Sequence, residues 1–385
     1  MKILITNLFI KEYTGSEINC LEISRCLKNM GHTPYVYTFY KENPLCAEFE
    51  KNKIFVSDQY EDIINIEFDL IWNQHSQVLN YLLFRRIKYK NILFSSLSPF
   101  EELEYPSYYV NQLPLVLANS KETKNKLVQL GVKPELINIF FNSVDLDYFK
   151  ASKKESVSPI KALCISNHPP EELLNLKVFT NNNFSIDFIG QNSGEYKLVT
   201  PDVLNNYNLI ISIGKTVQYA IALNIPIYCY DQFGGPGFIT QNNCEIALNH
   251  NFSGRGFSKK TTSEIYNELI SVSPNIEELN LLLSNKFNLK KNILEVLTKI
   301  NHLSTPPIAI VDHQAAQFKK IFIHYIDMQK AVKYRDGIIR QQIIEIDKNK
   351  TGLTLLNNEL NWITNSKWWK LRALIYSLLP KRLRV

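Results

Sequence analysis

Residues 1–40 read MKILITNLFIKEYTGSEINCLEISRCLKNMGHTPYVYTFY. Residues 2–8 are almost continuously apolar, the pattern of a parallel strand covered on both faces. Thr14, Gly15 and Ser16 break the run. Cys20, Ile23, Leu27 and Met30 then recur at helical spacing and predict one buried helix face. Gly31 is placed to end that helix, and residues 33–40 give the next strand. Strand, crossover helix and strand in this order predict a parallel βαβ unit.

The alternation continues outward. Residues 69–73, 91–95 and 115–118 are further short apolar runs. Ser120 is a helix cap ahead of Leu127 and Leu130, with Gly131 as the stop. Residues 150–160, KASKKESVSPI, are polar and charged and predict a linker. Beyond it the pattern restarts, with strands expected at 162–166, 186–190, 209–213 and 225–230. The expectation is an α/β protein with two Rossmann-like domains facing a cleft, residues 1–150 and 151–305, followed by a helical extension at 306–385.

Composition agrees with a globular chain. Hydrophobic residues are 45% and charged residues 21% of the 385, which excludes wholesale disorder. A net charge of +6 is too mild to imply a nucleic-acid partner. The six cysteines are scattered through apolar segments without a C-x-x-C pair, as reduced core residues in a reducing compartment would be. The first apolar stretch contains Thr6 and Asn7, and no small-residue cleavage site follows it. It reads as a strand rather than an export signal. No run approaches the ~20 apolar residues of a membrane-spanning helix. The expected place is the cytoplasm.

The chemistry concentrates in residues 209–240, LIISIGKTVQYAIALNIPIYCYDQFGGPGFIT. A buried strand enters Ser212-Ile213-Gly214-Lys215-Thr216, and a helix starts there. A helix N-terminus offers free backbone N–H groups to an anion, and glycine admits a phosphate close to the backbone. Lys215 adds charge and Thr216 a hydroxyl, so a diphosphate is the expected guest. The turn lacks the upstream glycine of a Walker loop. No carboxylates cluster beside it in sequence, so no obligatory metal and no separate cofactor are expected. Asp231, Gly234, Gly235 and Gly237 follow the next strand and predict close approach to a donor sugar. Asn167 and His168, ending the first strand of the second domain, are diphosphate donors in this reading. Arg255 between Gly254 and Gly256 is a further anion contact on the donor-sugar side or a plain surface arginine.

In the first domain, Gly15, Ser16 and Ser98 fall on the expected acceptor side. His75 ends a strand and is a candidate base, with a structural role as the alternative. Glu101, Glu102 and Glu104 form an acidic loop, candidates for acceptor activation or simply solvated. Glu17, in the first turn of the first helix, has a plain role in favouring the helix dipole.

These residues also carry a resemblance. Residues 1–38, with Gly-Ser before the helix and Gly-His after it, resemble the opening of glycosyltransferase family 4 enzymes. Residues 115–149, LVLANSKETKNKLVQLGVKPELINIFFNSVDLDYF, are similar to that family's passage into the interdomain hinge. The resemblance covers about residues 1–300 and implies a GT-B fold, a nucleotide-sugar donor in the second domain and a glycan or lipid-linked acceptor in the first. Where the family carries two glutamates eight positions apart, this chain has Ile211 and Tyr219. Its turn instead resembles the Ser-Gly-Gly-x-Gln turn of UDP-GlcNAc 2-epimerases, through Ser212, Gly214 and Gln218, with His168 also in a comparable place. Together the SNHPPEE, GKTVQYA, FGGPG and NFSGRGF blocks resemble bacterial glycosyltransferases of surface polysaccharides. An epimerase-like isomerase and a non-catalytic binding protein are the competing readings.

After Pro306-Pro307, residues 312–348 have helical spacing, and Gly352 is expected to interrupt. Leu353, Leu356, Leu360 and Ile363 recur as a short heptad seam. Residues 366–385, SKWWKLRALIYSLLPKRLRV, combine an aromatic and leucine stripe with basic residues. They predict an interfacial helix docking on the inner face of the cytoplasmic membrane. Packing of that stripe on the protein, or pairing of a second copy along the seam to make a homo-oligomer, is the alternative.

Overall fold

The computed structural model describes residues 1–150, 159–191, 195–271, 274, 276–308 and 312–366. The chain forms two compact units, Met1–Ile310 and Val311–Val385.

The first unit begins with β1 (Lys2–Thr6), the short β2 (Phe9–Ile10), α1 (Gly15–Asn29), β3 (Thr33–Tyr37), β4 (Tyr40–Lys41) and α2 (Leu45–Lys51). It continues with β5 (Phe55–Ser57), β6 (Glu67–Asn73), α3 (Ser76–Phe84), β7 (Lys88–Ser96), β8 (Leu115–Ala118), α4 (Lys121–Gln129) and β9 (Ile137–Ile139). Seven strands pair in the order β5-β3-β1-β6-β7-β8-β9. Every pair is parallel. β2 and β4 form a separate two-stranded ribbon. Ile3, Leu4 and Ile5 of β1 are fully buried, as a central strand with helices on both faces requires.

The second part of this unit holds α5 (Leu146–Lys150), β10 (Ile160–Ile165), α6 (Glu171–Leu174), β11 (Phe184–Ile189), α7 (Pro201–Leu204), β12 (Leu209–Ser212) and α8 (Lys215–Ala222). Then follow β13 (Ile227–Asp231), β14 (Gly234–Phe238), α9 (Gln241–Asn249), α10 (Thr262–Ser271), α11 (Ile276–Leu283) and α12 (Leu289–Asn301). The second sheet runs β11-β10-β12-β13-β14, with β14 antiparallel. Strand order reverses between β1 and β6 in one sheet and between β10 and β12 in the other. Open α/β sheets place their crevices at the carboxyl ends of such pairs. The fold class is the expected one.

α12 lies far along the chain yet covers the first sheet. Its Leu289, Ile293, Val296, Leu297 and Ile300 join one apolar cluster with Ile3, Ile5, Leu27 and Trp72. Each such side chain contributes about 1.5–3 kcal/mol on burial. The backbone of Val144 exchanges hydrogen bonds with Phe287 (2.6 Å) and Leu289 (3.1 Å), so the outgoing and returning chains are tied where they cross.

In the two large sheets the strands missed in sequence are β5 and β9, three residues each at sheet edges, and β14, which reads GGPGF. Short edges and glycine give no alternating signal.

In the second unit, α13 (Asp312–Asn365) is one continuous helix of 54 residues. It runs through Gly337 and Gly352, so the expected interruption at Gly352 does not occur. A glycine costs a helix only about 1 kcal/mol, which the turns on either side outweigh. The expected last helix at 366–385 lies outside the described residues beyond Ser366. Among the described residues no helix is long and apolar enough to cross a membrane.

Candidate functional site

The turn after β12 is built as the sequence predicts, but Ser212, the Gly214 N–H and Lys215 point at protein. Gly214 has φ 58° and ψ −133°, a conformation strained for other residues, and caps α8. Its N–H donates to the Phe252 carbonyl at 3.0 Å. The Ser212 hydroxyl donates to the Ile165 carbonyl at 2.7 Å and stitches β12 to β10. Lys215 and Thr216 open the helix, where N–H groups precede the internal ladder. Lys215 Nζ forms an ion pair with Glu22 of α1 and lies 3.3 Å from Asn19 Oδ1, also of α1. Both ion-pair side chains are under 10% exposed, at 9% and 7%. Tyr219, one turn along α8, also donates to Glu22. Burial and then the Glu22 charge push its phenol well above the ordinary range. Sequence shows no carboxylate beside this turn; the fold supplies Glu22.

More loops from the carboxyl ends of the two sheets meet. Gln191 Nε2 donates to Glu12 at 2.6 Å, and the Tyr13 and Tyr196 rings meet at 5.2 Å with a 38° tilt. Arg255 makes a fork on Glu122 of α4, Nε at 3.1 Å and Nη2 at 2.7 Å, and lies over the Phe100 ring. His250 Nδ1 stands 3.2 Å from the same carboxylate. Burial opposes ionisation of Glu122, yet Arg255 and then His250 hold it below the usual carboxylate range. Arg255, expected near the donor sugar, is therefore a clasp between the domains. A cavity of about 490 Å³ beside it is lined by Phe100, Lys121, Lys126 and His250 among others.

The glycines after β13 serve the hairpin rather than an open loop. A Cβ on Gly235 would lie 2.1 Å from the Cys229 carbonyl, and one on Gly234 would lie 2.3 Å from that of Ser258. Gly237 has φ +77° within β14. Asp231 accepts from the N–H groups of Phe233 (2.7 Å) and Gly254 (3.0 Å), holding two loops together. At the end of β10, Asn167 Oδ1 accepts from the Gln191 N–H at 3.3 Å, and His168 is exposed. A Cβ on Gly190 would lie 1.9 Å from the Ser166 carbonyl.

In the first domain, His75 is buried and held on both sides. Leu8 N–H donates to Nδ1 at 2.9 Å, which leaves Nε2 as the proton-bearing nitrogen, 3.4 Å from Glu104 Oε1. Glu104 Oε2 accepts from Leu97 N–H at 2.9 Å. Glu101 and Glu102, the other candidates, are exposed. Ser98 accepts from the N–H groups of Phe100 and Glu101 and shapes their turn. Gly15 is exposed and Ser16 half-buried at the start of α1. Glu17 goes beyond a dipole role. It is buried and accepts from the Lys11 (2.7 Å) and Glu12 (3.0 Å) N–H groups and from Thr14. Burial pushes its carboxyl up despite these bonds.

Several buried amides at this junction have no hydrogen-bond partner among the described residues. Both amide atoms of Gln74, after β6, and of Gln218, in α8, make no hydrogen bond, and neither do Nδ2 of Asn19 and Asn73. Buried polar groups are ordinarily paired, so these atoms stand out from the rest of the core. Asn19, Glu22, Asn73 and Gln74 were not singled out in sequence. The available signal was polar residues inside apolar runs. Asp145-Leu146-Asp147, an Asp-x-Asp spacing, lies at the hinge, and Arg25 Nη2 is 3.9 Å from Asp145 and 3.8 Å from Asp147.

No protein-family model matches the chain, and no curated protein does. Solved structures do match. Anabaena HepE in complex with UDP and glucose aligns with a TM-score of 0.54 at 13% identity, over 79% of this chain and 100% of that one. HepE in complex with UDP gives 0.56 at 12%, with the same coverage. The apo lipopolysaccharide outer core galactosyltransferase WaaB gives 0.51 at 12%, over 77% of this chain and 99% of that one. Identities this low speak for the fold alone. The chain has the GT-B architecture: two parallel-sheet Rossmann-like domains with a helical C-terminal region.

Proposed function

We propose that the chain is a glycosyltransferase that moves a sugar from a nucleotide-sugar donor to a glycan or lipid-linked acceptor in bacterial surface polysaccharide synthesis. The carrying observation is the start of α8 at the second sheet's switch point. There Lys215 faces a buried carboxylate, and the nearby Gln218 amide is unsatisfied. In this reading the donor diphosphate takes the place of Glu22 on Lys215. The first-turn N–H groups of α8 and Asn167 complete its cradle. Fixed dipoles and Lys215 then stabilise the leaving diphosphate, without an obligatory metal. Two fold neighbours support the donor class and the reaction. HepE has been solved with UDP-glucose, and WaaB is a galactosyltransferase. The basic tail at 366–385 would bring the enzyme to a lipid-linked acceptor on the inner membrane face.

The test is a panel of nucleotide sugars, scored by thermal shift and by slow donor hydrolysis, with and without EDTA. Stabilisation and hydrolysis by one donor, unaffected by EDTA, support the reading. Recovery of an isomerised sugar nucleotide would point to an isomerase instead. Absence of any donor binding would leave a non-catalytic protein.

A further inference from the structure

α13 carries a seam, unpartnered among the described residues, far longer than the four leucine and isoleucine positions near its end. In a seven-residue register, Val332, Ile339, Ile346, Leu353 and Leu360 fall at successive a positions, all apolar. The d positions are Met328, Arg335, Gln342, Asn349, Leu356 and Ile363. The apolar members of both sets are 42–64% exposed on the single chain, a heavy solvent cost for eight large side chains on one helix. A strict seven-residue repeat drifts around a straight helix and stays in contact only if two helices supercoil. The a positions stay apolar through five consecutive heptads, the length expected of a coiled coil, and Met328, Leu356 and Ile363 add apolar d positions at the two ends.

We propose that α13 pairs with α13 of a second copy of this chain as a parallel, in-register two-stranded coiled coil. Val332, Ile339 and Ile346 are β-branched at a, as in two-stranded coiled coils, and the polar d residues beside them oppose the larger cores of higher oligomers. The flanking e and g positions select the parallel arrangement. Parallel pairing sets each g residue against the partner's e residue five positions on. Glu345 then meets the opposite charge of Lys350 across the seam, and Ile338 meets Ile343. The charge of Arg335 at d falls beside Asp336 at e of the other helix. An antiparallel pair sets g against g and e against e, and loses this complement. The polar Gln342 and Asn349 at d weaken the seam but fix its register, since a shifted pairing buries them against apolar residues.

The experiment uses the full chain. Light scattering on a sizing column should give twice the chain mass. Ile339→Lys combined with Leu353→Lys should halve it while thermal unfolding of the α/β body is unchanged, because both positions are exposed on the single chain. Leu360→Cys should oxidise to a disulfide-linked dimer on its own. A monomeric parent chain, or a double-lysine variant that stays dimeric, would overturn the proposal. Leu360→Cys that links only when mixed with Met328→Cys would also overturn it, because antiparallel helices set a against d. A monomer captured by anionic vesicles through α13 would assign the seam to lipid and equally refute the pairing.

Discussion

Lys215, at the start of α8, is paired with Glu22, in the middle of α1, across the junction of the two sheets. The cation expected to meet a diphosphate thus meets a carboxylate of the facing domain. Removing one partner of a buried pair costs on the order of 3 kcal/mol, because the other charge is left uncompensated. Glu22→Gln should lower the stability of the ligand-free protein by about that much. A nucleoside diphosphate should restore it, since the ligand neutralises Lys215. Denaturant unfolding with and without UDP and GDP checks both halves.

His75 holds the end of β1 through the Leu8 N–H and faces Glu104. Its replacement by Ala leaves a buried donor unpaired and should cost about 1–3 kcal/mol of stability. Glu101→Gln and Glu102→Gln, at exposed positions, should stay within about 0.5 kcal/mol of the parent. Urea midpoints measured beside turnover separate holding from chemistry. A His75 variant of unchanged stability but abolished turnover would make the imidazole a catalytic base.

The Arg255–Glu122 clasp gives a signed pH dependence. The carboxyl of Glu122 titrates below its ordinary ~4.3 when folded. Its contribution is complete above that ordinary value and is lost as pH falls through the lower folded value. Arg255→Ala should therefore destabilise the protein by about 1 kcal/mol near neutrality, the scale of a partly exposed pair. The difference from the parent should shrink in acid below ~4. Thermal unfolding across pH 3–7 is the check, the range set by carboxylate titration near ~4.

The parallel sheets were legible because each buried strand is an apolar run with a glycine or a cap beside it, as in residues 2–8 and Ser120. The turn at Gly214 was legible for the same reason. What escaped were relations between distant segments. Nothing around Lys215 in the chain announces Glu22, and nothing around Arg255 announces Glu122. The glycines of Phe233-Gly234-Gly235-Pro236-Gly237 predict close approach to a donor sugar; the approach visible in the fold is that of the Ser258 and Cys229 carbonyls to Gly234 and Gly235. A glycine reports close approach without naming what approaches.

That distinction yields a further prediction. Gly235→Ala forces a methyl group to within 2.1 Å of the Cys229 carbonyl, backbone that has no easy retreat. The variant should lose about 1–3 kcal/mol of stability whether or not a donor is present. A Gly235 variant of parent-like stability that fails only in donor binding would return these glycines to the ligand.

The central claim is that the start of α8 binds the diphosphate of a nucleotide sugar, and calorimetric titration of UDP and GDP into the parent chain and into Lys215→Ala tests it most directly. The account predicts saturable binding of at least one nucleotide to the parent, weakened by about 1–3 kcal/mol in the folded variant, the scale of a charge-assisted hydrogen bond. Equal affinity in the two proteins, or no binding of either nucleotide to the parent, would contradict it.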